Sequence, residues 1–336
     1  MPAILEVDKL VKKYGDFEAV GGVSFSVEQG EVFGLLGPNG AGKTQTISML
    51  TGVIPPTTGT ARIGGYDIRT QMDQVKKING LVPQDLALYP TLSARANLNF
   101  FGRIYGLRGK ELKERVEDVL RIVALTERAD QAVDKYSGGM KRRVNIAAGL
   151  IHHPRLFFLD EPTVGVDPQS RNHIFESVQR LNRERGMSIV YTSHYMEEVE
   201  LLCNRVAIID QGKIIAMDTI KNLIAMLGGG IIYVGLQQVD DEILAGLSHL
   251  PAVAEVSLVP QPANPPAEGD QKAETSERKP ISKEMLIKVV AKNSQLAIIN
   301  VINELKERNL NLTSLEILEP NLESVFLHLT GKKLRE

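Results

Sequence analysis

Gly37-Pro38-Asn39-Gly40-Ala41-Gly42-Lys43-Thr44 follows the apolar run Val32–Leu36 and precedes a helical pattern that continues through Leu50. A short apolar run bounded by glycines reads as a strand buried on both faces, so the octapeptide joins a parallel-sheet strand to a helix. That is the context in which G-x-x-x-x-G-K-[ST] cradles phosphate. The glycines let backbone N–H groups turn inward, and the helix N-terminus adds positive potential. Lys43 is then placed to reach the β- and γ-phosphates of a nucleotide, and the Thr44 hydroxyl to bind Mg²⁺.

Working outward, a second buried-strand run, Leu156–Leu159, ends in Asp160-Glu161. A carboxylate at the C-terminal end of such a strand falls beside the metal, and a second one next to it can polarise an attacking water. Asp160 takes the first role and Glu161 the second. Ser188–Thr192, ending at Ser193-His194, and Arg205–Asp210 supply further buried strands. Ile4–Val11 and Val23–Val27 alternate like half-buried strands, while Leu112, Val116, Val119, Leu120 and Val123 share one face of a helix over Glu111–Leu125. Strands alternating with helices point to an α/β domain with a largely parallel sheet.

After Gly228-Gly229-Gly230 the texture changes. Ile231–Gln237, Val253–Val259, Glu284–Ala291 and Leu312–Leu318 read as strands, Asp240–Leu250 and Ser294–Arg308 as helices. That β-α-β-β-α-β order is ferredoxin-like. Pro260–Lys283, rich in proline and acidic residues, reads as a disordered excursion between the two central strands. A last helix, Leu322–Leu329, lines up Leu322, Val325, Phe326 and Leu329.

Composition sets the outer bounds. With 336 residues, about two domains fit. Lys plus Arg total 39 and Asp plus Glu 41, a formal net charge of −2, so no global pull toward nucleic acid exists. One cysteine, Cys203, excludes an internal disulfide and any multi-cysteine metal site, in keeping with a reducing compartment. The N-terminus lacks a signal-peptide apolar region, and no apolar run approaches the 18 or so residues that span a bilayer.

Further motifs make the chain resemble the ATP-binding-cassette (ABC) ATPases. Tyr136-Ser137-Gly138-Gly139-Met140 resembles that family's signature loop, Val82-Pro83-Gln84-Asp85 its Q-loop, and Val164-Gly165-Val166-Asp167 its D-loop. His194 matches the switch histidine, and Tyr14 the aromatic that stacks on adenine. The resemblance implies ATP contacts from Tyr14, from Gly37, Pro38, Asn39, Gly40, Ala41, Gly42, Lys43, Thr44 and Gln45, and from Gln84 and Asp167. It implies Mg²⁺ at Thr44, Gln84 and Asp160, and hydrolysis by Glu161 with His194 and Lys43. Ser137, Gly138 and Gly139 would act in trans on the nucleotide of a second copy, in a head-to-tail homodimer. Met140, Tyr136, Val164, Val166 and Gln45 depart from the family pattern; the core positions do not.

The implied fold is a P-loop NTPase cassette over 1–225, with a mostly parallel sheet, an antiparallel β subdomain and a helical subdomain. An accessory or regulatory α+β domain would fill 226–336, with its insert at 260–283. Tyr-Ser-Gly-Gly-Met-Lys-Arg-Arg, Glu-Pro-Thr-Val-Gly-Val-Asp-Pro-Gln-Ser-Arg and the ending Leu318–Gly331 resemble the ABC-2 export branch, which includes daunorubicin-resistance and sodium-efflux ATPases. The resemblance thus implies the ATPase subunit of an exporter, held at the cytoplasmic face of the membrane by a separate integral-membrane permease. Leu86–Leu107, with Ala87, Leu88, Tyr89, Leu92, Leu98, Phe100 and Phe101, is where such a partner docks, although most of these side chains are expected to pack the helical subdomain. Lys141-Arg142-Arg143 is expected to be a solvated face. The alternative is a soluble ABC ATPase of DNA repair, chromosome structure or translation. Against it stand one P-loop, a spacing of only 117 residues from Lys43 to Asp160, and no cysteine between them.

Overall fold

The computed structural model describes residues 2–259, 285–318 and 320–330; the excursion expected at 260–283 lies outside the described residues. Contacts divide the chain into Met1–Leu223 with Leu329–Glu336, and Ile224–His328.

The first unit opens with strands β1 (Ala3–Tyr14), β2 (Phe17–Glu28) and β3 (Val32–Leu36), then helix α1 (Lys43–Leu50). Strands β4 (Thr58–Ile63) and β5 (Tyr66–Asp67), helix α2 (Met72–Ile78) and strand β6 (Asn79–Val82) follow. Next come helices α3 (Ala94–Ile104), α4 (Gly109–Ile122) and α5 (Gly138–Leu150). Strand β7 (Leu156–Asp160), helix α6 (Pro168–Arg185), strand β8 (Ser188–Ser193) and helix α7 (Met196–Leu202) lead to the hairpin β9 (Arg205–Asp210) and β10 (Lys213–Thr219). The division between units falls within α8 (Ile220–Ala225).

Two sheets form this unit. One is antiparallel, in the order β2-β1-β4-β5; the other runs β10-β9-β3-β8-β7-β6. In the second, β9, β3, β8, β7 and β6 are mutually parallel and only β10 is antiparallel. Every residue of β3, β7 and β8 is buried, which explains their unbroken apolar or small-residue sequences. Phe33, Leu35, Phe158, Val190 and Ala207 pack with Leu5, Val7, Phe25 and Ile63 in one core between the sheets. This is the α/β cassette expected from the motifs. The parallel arrangement brings the C-terminal ends of β3, β7 and β8 to one edge, where Gly37, Glu161 and His194 begin their loops.

Helix α5 is seated on β6 and β7 at a point with no spare room. A Cβ on Gly149 would fall 2.9 Å from Phe157 Cε2, 3.0 Å from the Leu81 carbonyl oxygen and 3.1 Å from Val82 Cγ2. The helix starts at Gly138 with Ser137 as its N-cap, so Gly138 and Gly139 of the signature sequence lie in its first turn. The basic cluster is not a solvated face: Arg142 is buried and donates to the Pro83 carbonyl, while Arg143 donates to that of Val123. The Leu86–Leu107 side chains divide differently from expectation. Leu98 is buried, but Tyr89, Leu92 and Phe100 are exposed, and Tyr89, Phe100 and Phe101 pack against one another, Phe100 meeting each of the other two edge-to-face.

The second unit contains β11 (Ile231–Leu236), α9 (Asp241–Ser248), β12 (Val253–Leu258) and β13 (Met285–Ala291), then α10 (Ser294–Glu307) and β14 (Leu312–Leu318). Its antiparallel order β12-β13-β11-β14 is the ferredoxin-like arrangement. Ile232, Val234, Ile287 and Val289 from the sheet meet Ile243, Leu247, Ala297 and Val301 from the two helices. Helix α11 (Leu322–Thr330) buries Leu322, Val325 and Phe326.

Gly149→Ala tests the α5 seat. In an unconstrained helix interior the change would stabilise by about 1 kcal/mol. Against β6 and β7 it should instead cost about 1–3 kcal/mol, read as an earlier urea transition of the first unit. A later transition would show that the helix has room.

Candidate functional site

The loop Gly37–Gly42 must leave a buried strand and enter a helix within a few residues. Gly42 makes the junction at φ 105°, a conformation that favours glycine, and caps α1. A Cβ there would also lie 2.8 Å from the Ala19 carbonyl oxygen. Lys43 follows as the first residue of α1, only 3% exposed, with its ammonium turned back under the loop. Lys43 Nζ donates to the carbonyls of Gly37 at 2.7 Å and Pro38 at 3.0 Å, and lies 3.0 Å from Glu161 Oε1. The other oxygen, Glu161 Oε2, is 3.2 Å from His194 Nδ1. Lys43, Glu161 and His194 thus form one continuous polar row.

The backbone of Glu161 has φ 45°, a left-handed conformation costly for a residue with a Cβ. It is held there by Thr192 of β8, whose Oγ1 accepts from the Glu161 N–H at 2.9 Å and lies 2.8 Å from Asp160 Oδ1. One hydroxyl therefore holds the two neighbouring carboxylates toward different partners, Asp160 toward Thr192 and Glu161 toward Lys43 and His194. Burial pushes the Asp160 carboxyl above its ordinary pKa, and Glu161 adds to the push. Hydrogen bonds from Thr192 and Thr44, with the charge of Lys43, act the other way.

A cleft of about 440 Å³ opens above the loop, lined by Tyr14, Phe17, Asn39–Gln45, Gln84 and Glu161 among others. Tyr14 is half exposed, and its OH donates to Gln45 Oε1 at 2.8 Å, which joins the aromatic ring to the phosphate-loop helix. Gln84 is exposed at the cleft, on a loop clamped from α5: Asn145 Oδ1 accepts from the Ala87 N–H and Arg142 donates to Pro83. The clamp was not read from the sequence, although an asparagine within the apolar stretch Val144–Ile151 was its one visible signal.

The residue types fit a Mg²⁺-nucleotide. Magnesium is commonly held by one or two carboxylates together with substrate phosphates, not by an all-protein cage. Thr44 and Asp160 supply a hydroxyl and a carboxylate beside the phosphate loop, and the Thr44 hydroxyl favours the ionised form of Asp160. Among the described residues no cluster of three or more His, Cys, Asp or Glu could by itself hold a metal ion.

Ser137, Gly138, Gly139 and Asp167 are absent from the lining of that cleft. They form a second cluster, where two helix N-termini meet. Ser137 caps α5, its Oγ accepting from the Met140 N–H, and Asp167 caps α6, its Oδ1 accepting from Ser170. The Ser170 N–H and hydroxyl hold the Asp167 carboxyl below its ordinary pKa. A Cβ on Gly139 would lie 2.0 Å from Ser170 Oγ, so the two helix ends touch through a glycine.

The chain is similar to proteins of one known family. The family described as ABC transporter matches residues 20–164. The linearmycin resistance ATP-binding protein LnrL of Bacillus subtilis (strain 168) is 45% identical over 99% of this chain and 100% of its own length. The daunorubicin resistance ATP-binding protein DrrA2 of Streptomyces coeruleorubidus is 34% identical over 98% of this chain and 95% of its own. A solved dimeric ATP-binding cassette, in a post-hydrolysis state with ADP and Pi, superposes with a TM-score of 0.59. That match is 24% identical and covers 64% of this chain and 98% of the other.

Asp160→Asn separates stability from function. A raised carboxyl pKa means that ionised Asp160 opposes folding at neutral pH, and that this opposition fades as pH falls below the raised value. The amide keeps an acceptor for Thr192. The melting temperature without ligand at pH 7 should therefore be unchanged or higher, while stabilisation by Mg²⁺-ATP is lost; thermal unfolding with and without ligand measures both.

Proposed function

The chain belongs to the ABC transporter ATP-binding proteins of the ABC-2 export branch, and on that footing we propose how its cleft does the work. As a member it binds and hydrolyses ATP, and it energises export across a membrane. The remaining assignments are our own reading.

The observation that carries them is the row Lys43–Glu161–His194 at the mouth of the strand–loop–helix cleft. The adenine lies against Tyr14, while the phosphates take backbone N–H groups of Asn39–Thr44. Lys43 then exchanges its pairing with Glu161 for the β- and γ-phosphates. Thr44 and Asp160, with Gln84 nearby, would hold Mg²⁺, which when bound would neutralise charge on the transferred phosphoryl group. Glu161, released from Lys43, accepts the proton of the attacking water, and His194 fixes its carboxylate. Ser137 to Gly139 of a second copy complete the γ-phosphate contacts at a helix N-terminus, with Asp167 beside them. Closing two copies head to tail excludes water and couples binding to motion.

Among the described residues no helix is long and apolar enough to cross a membrane. The aromatic group of exposed Tyr89 and Phe100 with half-buried Phe101, and with Leu86 and Leu92 beside it in sequence, is the docking face for a separate integral-membrane permease at the cytoplasmic surface. The unit from Ile224 to His328 is an accessory domain. A DNA-repair, chromosome or translation role finds no support in the proteins to which the chain is similar.

Glu161→Gln removes the base and keeps the shape. Turnover should fall by about 10²–10⁴-fold while ATP binding is retained, measured by phosphate release and by equilibrium binding of labelled ATP. Near-normal hydrolysis would remove Glu161 from this role.

A further inference from the structure

Glu198, on α7, is 2% exposed, and nothing in the proposed reaction uses it. A carboxylate taken that far from water requires compensation from hydrogen bonds or an opposite charge. It receives three hydroxyls on one oxygen: Thr163 Oγ1, Tyr191 OH and Ser193 Oγ each donate to Oε2 at 2.9 Å. Its other oxygen lies 3.7 Å from Arg171 Nε, near the start of α6. Neither Oε1 nor that Nε has a hydrogen-bond partner, so Arg171 meets Glu198 as a charge.

The donors are distributed in an informative way. Thr163 is two residues beyond Glu161, and Ser193 immediately precedes His194. Ser193 Oγ also accepts from the Tyr195 N–H at 2.9 Å, so the turn that bears His194 is fixed from the same oxygen. Arg171 lies in the first turn of α6 after the Asp167 cap, and its guanidinium sits 5.2 Å over the ring of Tyr195. One buried charge therefore joins the loop after Glu161, the turn at His194 and the helix capped by Asp167. The Glu161 carboxylate and the His194 imidazole, 3.2 Å apart, are carried by segments whose common anchor is Glu198.

We propose that Glu198 is a positioning residue for hydrolysis: by accepting from Thr163 and Ser193 it sets the separation of Glu161 and His194, and through Arg171 it ties that pair to the Asp167 end of α6. The inference rests on the ATPase reading above. A carboxylate suits the post because it is acceptor-only, with room for several donors. In Glu198→Gln the amide NH₂ would either face Arg171, donor against donor, or force the three hydroxyls to give up donating to that atom, and the charge opposite Arg171 would be gone.

The test compares Glu198→Gln, Thr163→Val and Thr163→Ser with the unmodified full-length chain in steady-state ATP hydrolysis. Thr163→Val is nearly isosteric and removes only the hydroxyl; Thr163→Ser keeps it. The expected result is a fall in kcat of at least tenfold for Glu198→Gln and at least threefold for Thr163→Val. KM for ATP stays within twofold, since the groups lining the cleft are untouched, and Thr163→Ser recovers most of the wild-type kcat. If Glu198→Gln does not fold, the Thr163 pair decides alone. Thr163→Val with wild-type kcat, or Thr163→Ser as impaired as Thr163→Val, overturns the positioning role and leaves the ATPase reading intact. An unmodified chain that binds ATP but does not hydrolyse it overturns both.

Discussion

A single ammonium group, buried beneath a glycine loop, organises this cassette. Lys43 Nζ has two backbone carbonyls and the Glu161 carboxylate as partners, and its side chain is 3% exposed. A charge so placed is tolerable only while those partners stay within reach. The constraint fixes the end of β3, the start of α1 and the end of β7 at one edge of the sheet. It also gives the site a built-in exchange: a phosphate that draws Lys43 away leaves Glu161 with His194 alone. In the function proposed above, binding of the nucleotide and release of Glu161 from Lys43 are then one event.

The positive φ at Glu161 belongs to the same constraint. Asp160 ends a strand that is buried along its whole length, and the next carboxylate must turn away from it to face the loop. Thr192 accepts from the Glu161 N–H and bonds to Asp160, stabilising a backbone that would otherwise relax. The second cluster, with Ser137 and Asp167 capping α5 and α6, has no part in lining the cleft and presents helix N–H groups. In the function proposed above, the two clusters are complementary halves of a phosphate site, the form a head-to-tail pair of copies requires.

The parts legible in the sequence were those with local signals. β3, β7 and β8 declared themselves because burial on both faces leaves no polar alternation to blur, and Gly37–Thr44 is contiguous. The ferredoxin-like order in the second unit was readable from alternating strands flanked by clear turns. What escaped depends on partners distant in sequence. β4 and β6 are short and mixed in composition, and pair with strands far away in the chain. Arg142 looked like a surface charge until a carbonyl from the Gln84 loop was found at 3.0 Å. Tyr89 and Phe100 read as core because hydrophobicity alone does not distinguish an interior position from an exposed apolar one. Glu198 sits among ordinary helix-surface glutamates in sequence, and only folding brings Thr163, Tyr191, Ser193 and Arg171 around it.

Mixing two variants that each disable a different half of the composite site tests this account most directly. Lys43→Ala removes the phosphate-loop half and Ser137→Arg blocks the capping half, so either variant alone should be inactive in ATP hydrolysis. In a mixture, paired copies of opposite type contain one intact site, and ATPase activity should reappear and rise with the product of the two concentrations. A mixture that stays as inactive as its components, although both variants are folded and form mixed pairs, would contradict a site shared between two copies.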